Sequence, residues 1–541
     1  MLPAPFMAAT YCSKDSVMAN IKISPLGTKW LRLLGGAATG VIAAGILFAV
    51  AELLAAFFAT VASPLTSVGS TFIDFTPAWM KNFAIATFGT NDKTVLLLSL
   101  ALGAILLAAV AGIVAWRKFA VGATLVVAFA VVMGACIITR SGASLADLVP
   151  LLVGTAAGLW ALRFLTPKVQ AAATLAPDAA GSPTSHSRRA FLVRSAVLAG
   201  AAVVVGAGGT LLSTARNTAR AVRDALKLPT PKTMAAPLPA GVQAPVDGLT
   251  PFVTPNADFY RIDTALIVPQ IDPSQWQLRV HGMVEQEFTM SFDELLASEL
   301  VETYVTLTCV SNVVGGNLAG NAKWLGYPLR EVLARAKPKP GADMVLSTSS
   351  DGFSASTPLP VLQDDRNALL AVGMNGEPLP LEHGFPVRMV VPGLYGFVSA
   401  TKWVVDLEVT TFEQKAGYWT SRGWSSHGPI KTSSRVEVPR ALGRVPAGTV
   451  AIGGSAWAQQ RGISKVEVQL DNGPWQPATL AAEASLDTWR QWSFIWNGAP
   501  AGSHNVKVRA YDTDGTLQVQ QQAPPEPDGS TGWHSITFTV T

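Results

Sequence analysis

Cysteine is scarce in this chain: three in 541 residues, at Cys12, Cys136 and Cys309. None belongs to a CxxC or CxxCH pattern, which argues against a zinc ribbon, an iron–sulfur cluster or c-type haem. Cys309 is the only cysteine after Cys136, so it has no disulfide partner in its own part of the chain. Histidine is nearly as rare: all six, His186, His281, His383, His427, His504 and His534, come late. The apolar runs before them offer no imidazole, so no haem is expected there. Charge is low as well, at 14% of residues, with a net charge of +4. Basic clusters interleaved with aromatics are missing, so nothing suggests a nucleic-acid partner.

What is abundant is hydrophobic sequence, 49% of residues with a mean hydropathy of +0.33, which predicts a membrane part. Five apolar runs lie near 37–60, 94–116, 119–138, 146–165 and 191–212, each about the 20 residues a spanning helix needs. Basic residues cluster before the first (Lys14, Lys22, Lys29, Arg32), between the second and third (Arg117, Lys118) and around the gap before the fifth (Arg163, Lys168, Arg188, Arg189, Arg194). If all five runs span, the three clusters share one side. The positive-inside rule then places the N-terminus in the cytoplasm and everything after residue 212 outside. The segment 70–92, with Phe72, Phe75, Trp79, Phe83 and Phe88, reads as an interfacial amphipathic helix or a plain loop. Glu52, inside the first run, is either an intramembrane functional carboxylate or a residue snorkelling near a helix end. Ser187-Arg188-Arg189-Ala190-Phe191-Leu192 has the order of a twin-arginine export signal, the route that moves folded proteins; ordinary positive-inside charge is the alternative. No small-residue cleavage site stands out, so the fifth run is expected to remain as an anchor.

Four parts follow. Residues 1–212 form an all-α transmembrane bundle of about five helices. Residues 213–250, with Pro229, Pro231, Pro237, Pro239 and Pro245, read as an extended tether. Residues 251–428 alternate strands (Gln277–His281, Glu302–Cys309, Arg388–Val391, Lys402–Thr410) with short helices at Ser291–Ser298, capped by Ser291 with Glu294 closing a capping box, and at Pro328–Ala336. That pattern predicts an α+β domain. Residues 429–541 carry regularly spaced strands at Thr449–Trp457, Ser464–Asp471, Gln491–Trp496, Ser503–Thr513 and Trp533–Val540. Turns such as Asp471-Asn472-Gly473 separate them, and the whole reads as an all-β immunoglobulin-like sandwich.

Cys309 stands where the alternating Glu302–Cys309 stretch runs into Ser311-Asn312 and Gly315-Gly316, at a strand end before a polar loop. A thiolate there is a nucleophile, a soft metal ligand or a small buried hydrophobe. The stretch Thr306-Leu307-Thr308-Cys309-Val310-Ser311-Asn312 resembles the cysteine loop of the sulfite oxidase family of molybdenum enzymes. Four further stretches match that family in order: Thr254–Arg261, Leu346–Phe353, Asn375–Pro380 leading to His383-Gly384-Phe385-Pro386-Val387-Arg388 and Val391-Pro392-Gly393, and Gly396–Trp403. The resemblance covers roughly residues 250–541 and says nothing of 1–212.

The resemblance implies a molybdenum–molybdopterin cofactor (tungsten not excluded), with Cys309 as metal ligand and catalytic centre. The implied cofactor-contacting set is Asn256, Phe259, Tyr260, Arg261, Asp351, His383, Arg388, Ser399, Thr401 and Lys402. It also implies a dimerisation-type role for the C-terminal domain, and hence a possible homodimer. Elementary chemistry agrees: a pterin phosphate is an anion, Arg388 offers a planar fork for it, Lys402 a point charge, and Gly393 and Gly396 close backbone approach. His383 and Asn256 suit pterin edges.

The chain also departs from the family. Val313 and Val314 stand where sulfite oxidases carry paired arginines, and Phe353 replaces a tyrosine near substrate. Both changes predict poor binding of a dianion and a small neutral oxo substrate instead, such as a sulfoxide or N-oxide. The electron partner is a quinone or a redox protein. Two other readings stand: a non-catalytic surface receptor or adhesion protein with a β-rich ectodomain, and a cysteine-nucleophile transferase with His383 as base.

Overall fold

The computed structural model describes residues 25–58, 62–77, 92–140, 143–166 and 218–541, and a few isolated positions between them. The chain divides into two compact units. One comprises Met1–Leu54, Lys81–Ala135 and Val149–Gly209. The other comprises Ala55–Met80, Cys136–Leu148 and Thr210–Thr541.

Among the described residues, four helices are long and apolar enough to cross a membrane: α1 (Pro25–Ala55), α3 (Asp92–Arg117), α4 (Phe119–Ile138) and α5 (Val149–Leu165, with the turn before it). Small residues bring their backbones together. A Cβ at Gly40 would lie 1.9 Å from the carbonyl oxygen of Ala108, and one at Gly112 would lie 2.2 Å from that of Gly36. Gly36 and Gly40 are one helical turn apart, the small-xxx-small spacing that lets helices touch in an apolar medium. Gly154 and Gly158 give α5 the same approach to α1 at Leu47 and Ala51. Glu52 is half-buried in the last turn of α1. The fifth run, the Arg188-Arg189 motif and the basic residues beside it lie almost wholly outside the described residues.

Helix α2 (Pro64–Phe75) belongs to the second unit. Ser63 caps it by accepting from the amide of Thr66, and Pro64 supplies the preset φ of a first turn. It begins six residues before the segment expected to be helix or loop, and Phe75 at its end is 84% exposed.

The α+β part is built on two sheets. The first has the order β2-β1-β10-β5-β6, from β1 (Gln277–Gly282), β2 (Phe288–Ser291), β5 (Met344–Ser349), β6 (Ser354–Pro358) and β10 (Val404–Thr410); β1 and β10 run parallel. The second has the order β3-β4-β7-β8, from β3 (Val301–Thr308), β4 (Ala319–Pro328), β7 (Leu369–Met374) and β8 (Glu377–Pro378), with β9 (Arg388–Val390) added on β7. Ser291 caps α7 (Phe292–Leu296) through the amide of Glu294 at 3.2 Å. The expected capping box is half made, because the Glu294 carboxylate bonds Arg335 in α8 (Leu329–Ala336) instead.

Trp276, Trp324 and Trp403 are 2%, 0% and 1% exposed, and each indole N–H donates to a backbone carbonyl. At about 200 Å² each, such rings give about 5 kcal/mol of transfer free energy before entropy is counted.

The segment 213–250 departs from a free tether. After α6 (Thr218–Ala225) it is extended but docked: Lys232 donates to Leu300, Ala244 to Gln491 and Thr250 to Glu437, while Arg223 grips Glu377 and two carbonyls. Its prolines suit this extended docking as well as they suit a linker.

The C-terminal part has two sheets. One is β11-β13-β17-β16, from β11 (Ser433–Val438), β13 (Gly448–Trp457), β16 (Thr479–Leu480) and β17 (Arg490–Ala499). The other is β12-β19-β18-β14-β15, from β12 (Arg444–Val445), β14 (Ile463–Leu470), β15 (Trp475–Pro477), β18 (Gly502–Asp512) and β19 (His534–Val540). Alternate residues of both sheets, Ile452 and Trp492 on one side and Val466, Val508 and Phe538 on the other, fill one core. Asp471 and Asn472 take positive φ (45° and 61°) at the tight turn after β14, as the sequence predicts for an Asp-Asn-Gly turn.

Candidate cofactor site

Strand β3 delivers Cys309. Thr303 to Thr308 pair with Trp324 to Ala319 of β4, and the amide of Cys309 closes the ladder by donating to Leu318 at 2.9 Å. The chain then turns, with the amide of Asn312 bonding the Cys309 carbonyl at 3.1 Å and the Asn312 side chain accepting from Leu318. Cys309, 8% exposed, lies on the wall of a solvent-open cleft of about 900 Å³. Burial raises the Cys309 pKa; hydrogen bonds from Ser311 and the charge of Lys402 pull the other way.

Phe259, Tyr260, Asp351, Arg388 and Lys402 share that cleft with Cys309. Arg388, on β9, is 3% exposed, and burial pushes its pKa down to about 10. Its guanidinium lies over Trp324 and donates to the carbonyls of His383 and Met389. Among the described residues no carboxylate is paired with it. Lys402 is 9% exposed and its pKa falls to about 8, chiefly through burial, although Asp263 at 3.1 Å opposes the shift. Tyr260 stays neutral because burial and the nearby Cys309 raise its pKa.

His383 does not line the cleft but lies behind it, edge-on to Phe259 with ring centroids 5.5 Å apart. Burial and the charges of Lys402 and Arg388 push its pKa down to about 3, so the ring is neutral. Its Nε2 faces the carbonyl of Asn256 at 3.2 Å, and since a carbonyl only accepts, Nε2 carries the proton. Nδ1 is then a buried acceptor with no hydrogen-bond partner.

The remaining expected contacts are not brought to the cleft. The Asn256 amide is spent on Glu377 and Asn375, and Arg261 turns to Asp263. Ser399 donates to the carbonyl of Tyr395, and Thr401 is bonded to Ser347. Val313, 56% exposed, and Val314 are absent from the cleft wall, whereas Phe353 is part of it. Sequence reasoning missed Asp263, which accepts from both Arg261 and Lys402, and the wall formed by Phe397, Trp419 and Trp424. The aromatic density of Tyr418-Trp419 and Trp424 was the available signal for the latter.

These residues fit a pterin-chelated metal. No group of three His, Cys, Asp or Glu side chains that could hold an ion exists among the described residues, so the protein offers one soft ligand and the others must come with the cofactor. Thr308 Oγ1 and His383 Nδ1 are buried without hydrogen-bond partners, although neither side chain lines the cleft itself. Arg388 and Lys402 supply unneutralised or partly neutralised charge for a phosphate.

A fold that presents one thiol beside two buried cations in a cleft has the parts of a cofactor-binding oxidoreductase. The comparisons agree. Residues 265–419 match the model of the oxidoreductase molybdopterin binding domain. The chain is 30% identical over 338 residues to mitochondrial sulfite oxidase of Homo sapiens (53% of this chain, 61% of that one). It is 33% identical over 160 residues to the uncharacterized oxidoreductase YuiH of Bacillus subtilis (29% of this chain, 76% of that one). The sulfane dehydrogenase SoxCD structure from Paracoccus pantotrophus is also similar, at 22% identity and a TM-score of 0.48, covering 55% of this chain and 85% of that one. The chain belongs to the sulfite oxidase family of molybdopterin-dependent oxidoreductases. It spans 61% of the length of the human sulfite oxidase it matches.

Proposed function

We propose that this protein carries out two-electron, oxygen-atom-transfer chemistry on a small oxo substrate, using a molybdenum–molybdopterin cofactor held by Cys309. The observation that carries this reading is the placement of Cys309, Arg388 and Lys402 on one buried cleft. When bound, the cofactor supplies the redox-active metal that exchanges oxygen and two electrons with substrate. The chain's own residues do the rest. Cys309 would anchor the metal, and Arg388 and Lys402 would hold the phosphate. His383, neutral and packed edge-on to Phe259, would back the cleft wall. Phe259, Phe353, Trp419 and Trp424 exclude water. A thiolate does not distinguish molybdenum from tungsten, and no haem is required.

The apolar helices would anchor the enzyme in the membrane with residues 218–541 on the extracytoplasmic face. Two features support this: the charge asymmetry of the sequence, and the fact that Ala55–Met80 and Cys136–Leu148, both expected outside, fall in the same compact unit as the cofactor domain. The two-sheet C-terminal domain would be the immunoglobulin-like, dimer-forming module, and a quinone or a redox protein the electron partner. The adhesion reading finds no support in the comparisons. The transferase reading would leave Arg388 and Lys402 without an anion to bind.

Metal analysis of the purified full chain tests the proposal. About one molybdenum or tungsten per chain is expected, and a metal-free protein with full activity would refute it.

A further inference from the structure

A second cavity, of about 700 Å³ counting its opening to solvent, adjoins the cleft. It shares Thr264, Asp351 and Phe353 with it, so a single layer of side chains separates the two. Its far wall comes from parts of the chain distant in sequence: Thr66, Ser67, Ser70, Ile73 and Asp74 of α2, and Arg140 after α4. A polar network fixes this wall. Arg140 Nη1 lies 2.9 Å from Asp74 Oδ2, and Arg140 Nη2 donates to Thr71 Oγ1 at 2.6 Å. The Tyr418 hydroxyl donates to Asp74 Oδ1 at 2.5 Å, and Arg422 lies 3.6 Å from the same oxygen. Tyr418 in turn packs on Phe353, with ring centroids 5.8 Å apart.

Two polar atoms in this lining are left over. Arg140 Nε and Ser350 Oγ are buried and have no hydrogen-bond partner, and both can donate to an oxygen. The charged side chains of the lining are two carboxylates, Asp74 and Asp351, and one guanidinium, Arg140, which is already paired. That balance repels an anion. Leu266, Ile267, Pro269 and Phe353 leave the remaining wall apolar.

We propose that this cavity is an antechamber that binds a small neutral molecule through an acceptor oxygen, with Arg140 as the specificity-determining residue. It rests on the oxidoreductase reading only in being the antechamber of that cleft; the binding itself does not need the metal. The segments between the apolar helices thereby build part of the substrate path, beyond any anchoring role. Asp74 acts through Arg140: by accepting from Nη1 it holds the guanidinium with its Nε edge to the cavity wall, and Tyr418 and Arg422 hold Asp74.

The probe is dimethyl sulfone, a neutral acceptor, titrated into the full chain in detergent and followed by ligand NMR, with metal content measured on each sample. Wild type is expected to bind it and Arg140→Gln to bind it roughly tenfold more weakly at unchanged metal content. Arg140→Lys keeps the charge and the pairing with Asp74 but has no Nε–H. It is expected to weaken binding similarly, and it carries the test if the glutamine variant folds poorly. Wild-type affinity in both variants, or no binding by wild type, overturns the proposal. Arg140-dependent binding by a wild type that holds no molybdenum or tungsten even when made in cells that supply the cofactor would instead overturn the cofactor reading and leave the binding site standing.

Discussion

Lys402 Nζ lies 3.1 Å from Asp263 Oδ2, with the two side chains 10% and 6% exposed. The ion pair is therefore almost dry. It does not restore the lysine to its ordinary pKa, because burial and the neighbouring Arg388 and Arg261 outweigh Asp263 and leave Lys402 at about 8.

This shift has a signed consequence. Between about pH 8 and the ordinary value of 10.5, the unfolded chain binds more protons at this site than the folded one. Lys402 therefore costs stability below pH 8, and the cost is relieved as pH rises through that window. Anion binding runs the other way, since the cation that meets a phosphate is lost above about pH 8. In cofactor-free protein, the affinity for pyrophosphate should fall between about pH 7 and about pH 9, and Lys402→Met should remove that pH dependence. Arg388→Ala should weaken binding by about 10-fold to 100-fold, the size of a lost charge-assisted hydrogen bond. Calorimetric titration measures both.

Cys309→Ser replaces a soft thiolate with a poor ligand for a soft metal site. The backbone bonds that seat residue 309, to Leu318 and from Asn312, do not involve the side chain. The variant should therefore fold and keep the pterin through Arg388 and Lys402, yet lose activity to background. Parallel assays of pterin fluorescence, metal content and turnover decide this; full turnover would remove Cys309 from the metal.

Local pattern made part of this site legible. The alternation of Tyr304 to Cys309 gave β3 and its end, and the order from His383 to Arg388 marked Arg388 as a candidate cofactor contact; its burial and the neutrality of His383 came only with the fold. Regular turns gave the two-sheet C-terminal part. What stayed illegible depends on contacts distant in sequence. Asn256, Ser399 and Thr401 match the family pattern, but their side chains are consumed by Glu377, Tyr395 and Ser347, partners that no spacing reveals. Asp263 shows its double role only once Lys402 is folded against it. Tyr418 and Asp74 are 344 positions apart, so an N-terminal wall beside the cofactor cleft has no local signal. Val313 and Val314 take the place of the family's paired arginines by order alone, and neither is part of the cleft wall.

The export route separates two meanings of Arg188-Arg189. Replacing both with lysine keeps the charge that positive-inside anchoring requires. A twin-arginine pathway reads the arginines themselves, so export of the folded domain should fail in the double variant while the apolar helices still insert. Protease access to residues 250–541 from outside intact cells, compared with wild type, is the measurement. Unchanged access would assign the pair to ordinary topology.

Substrate charge is the last test, and the cleft itself now carries the argument. Its lining cations, Arg388 and Lys402, are the ones a cofactor phosphate would occupy. What remains toward substrate is Asp351, Asp263 and the aromatic wall of Phe353, Phe397, Trp419 and Trp424. A desolvated dianion entering that space finds carboxylates and rings, and its lost hydration is not repaid. Arg261, an arginine close enough to Asp263 to be a candidate for compensation, is held by that carboxylate at 2.9 Å. A neutral sulfoxide or N-oxide loses far less hydration and needs only one donor. Steady-state comparison of sulfite with a panel of neutral oxo compounds, using artificial electron carriers, should therefore give the larger kcat/KM to the neutral set by at least about tenfold, one lost charged hydrogen bond. If sulfite gives the highest value, a cation outside this cleft must reach the substrate, and Arg261→Ala, which should otherwise be silent, would then abolish the sulfite reaction.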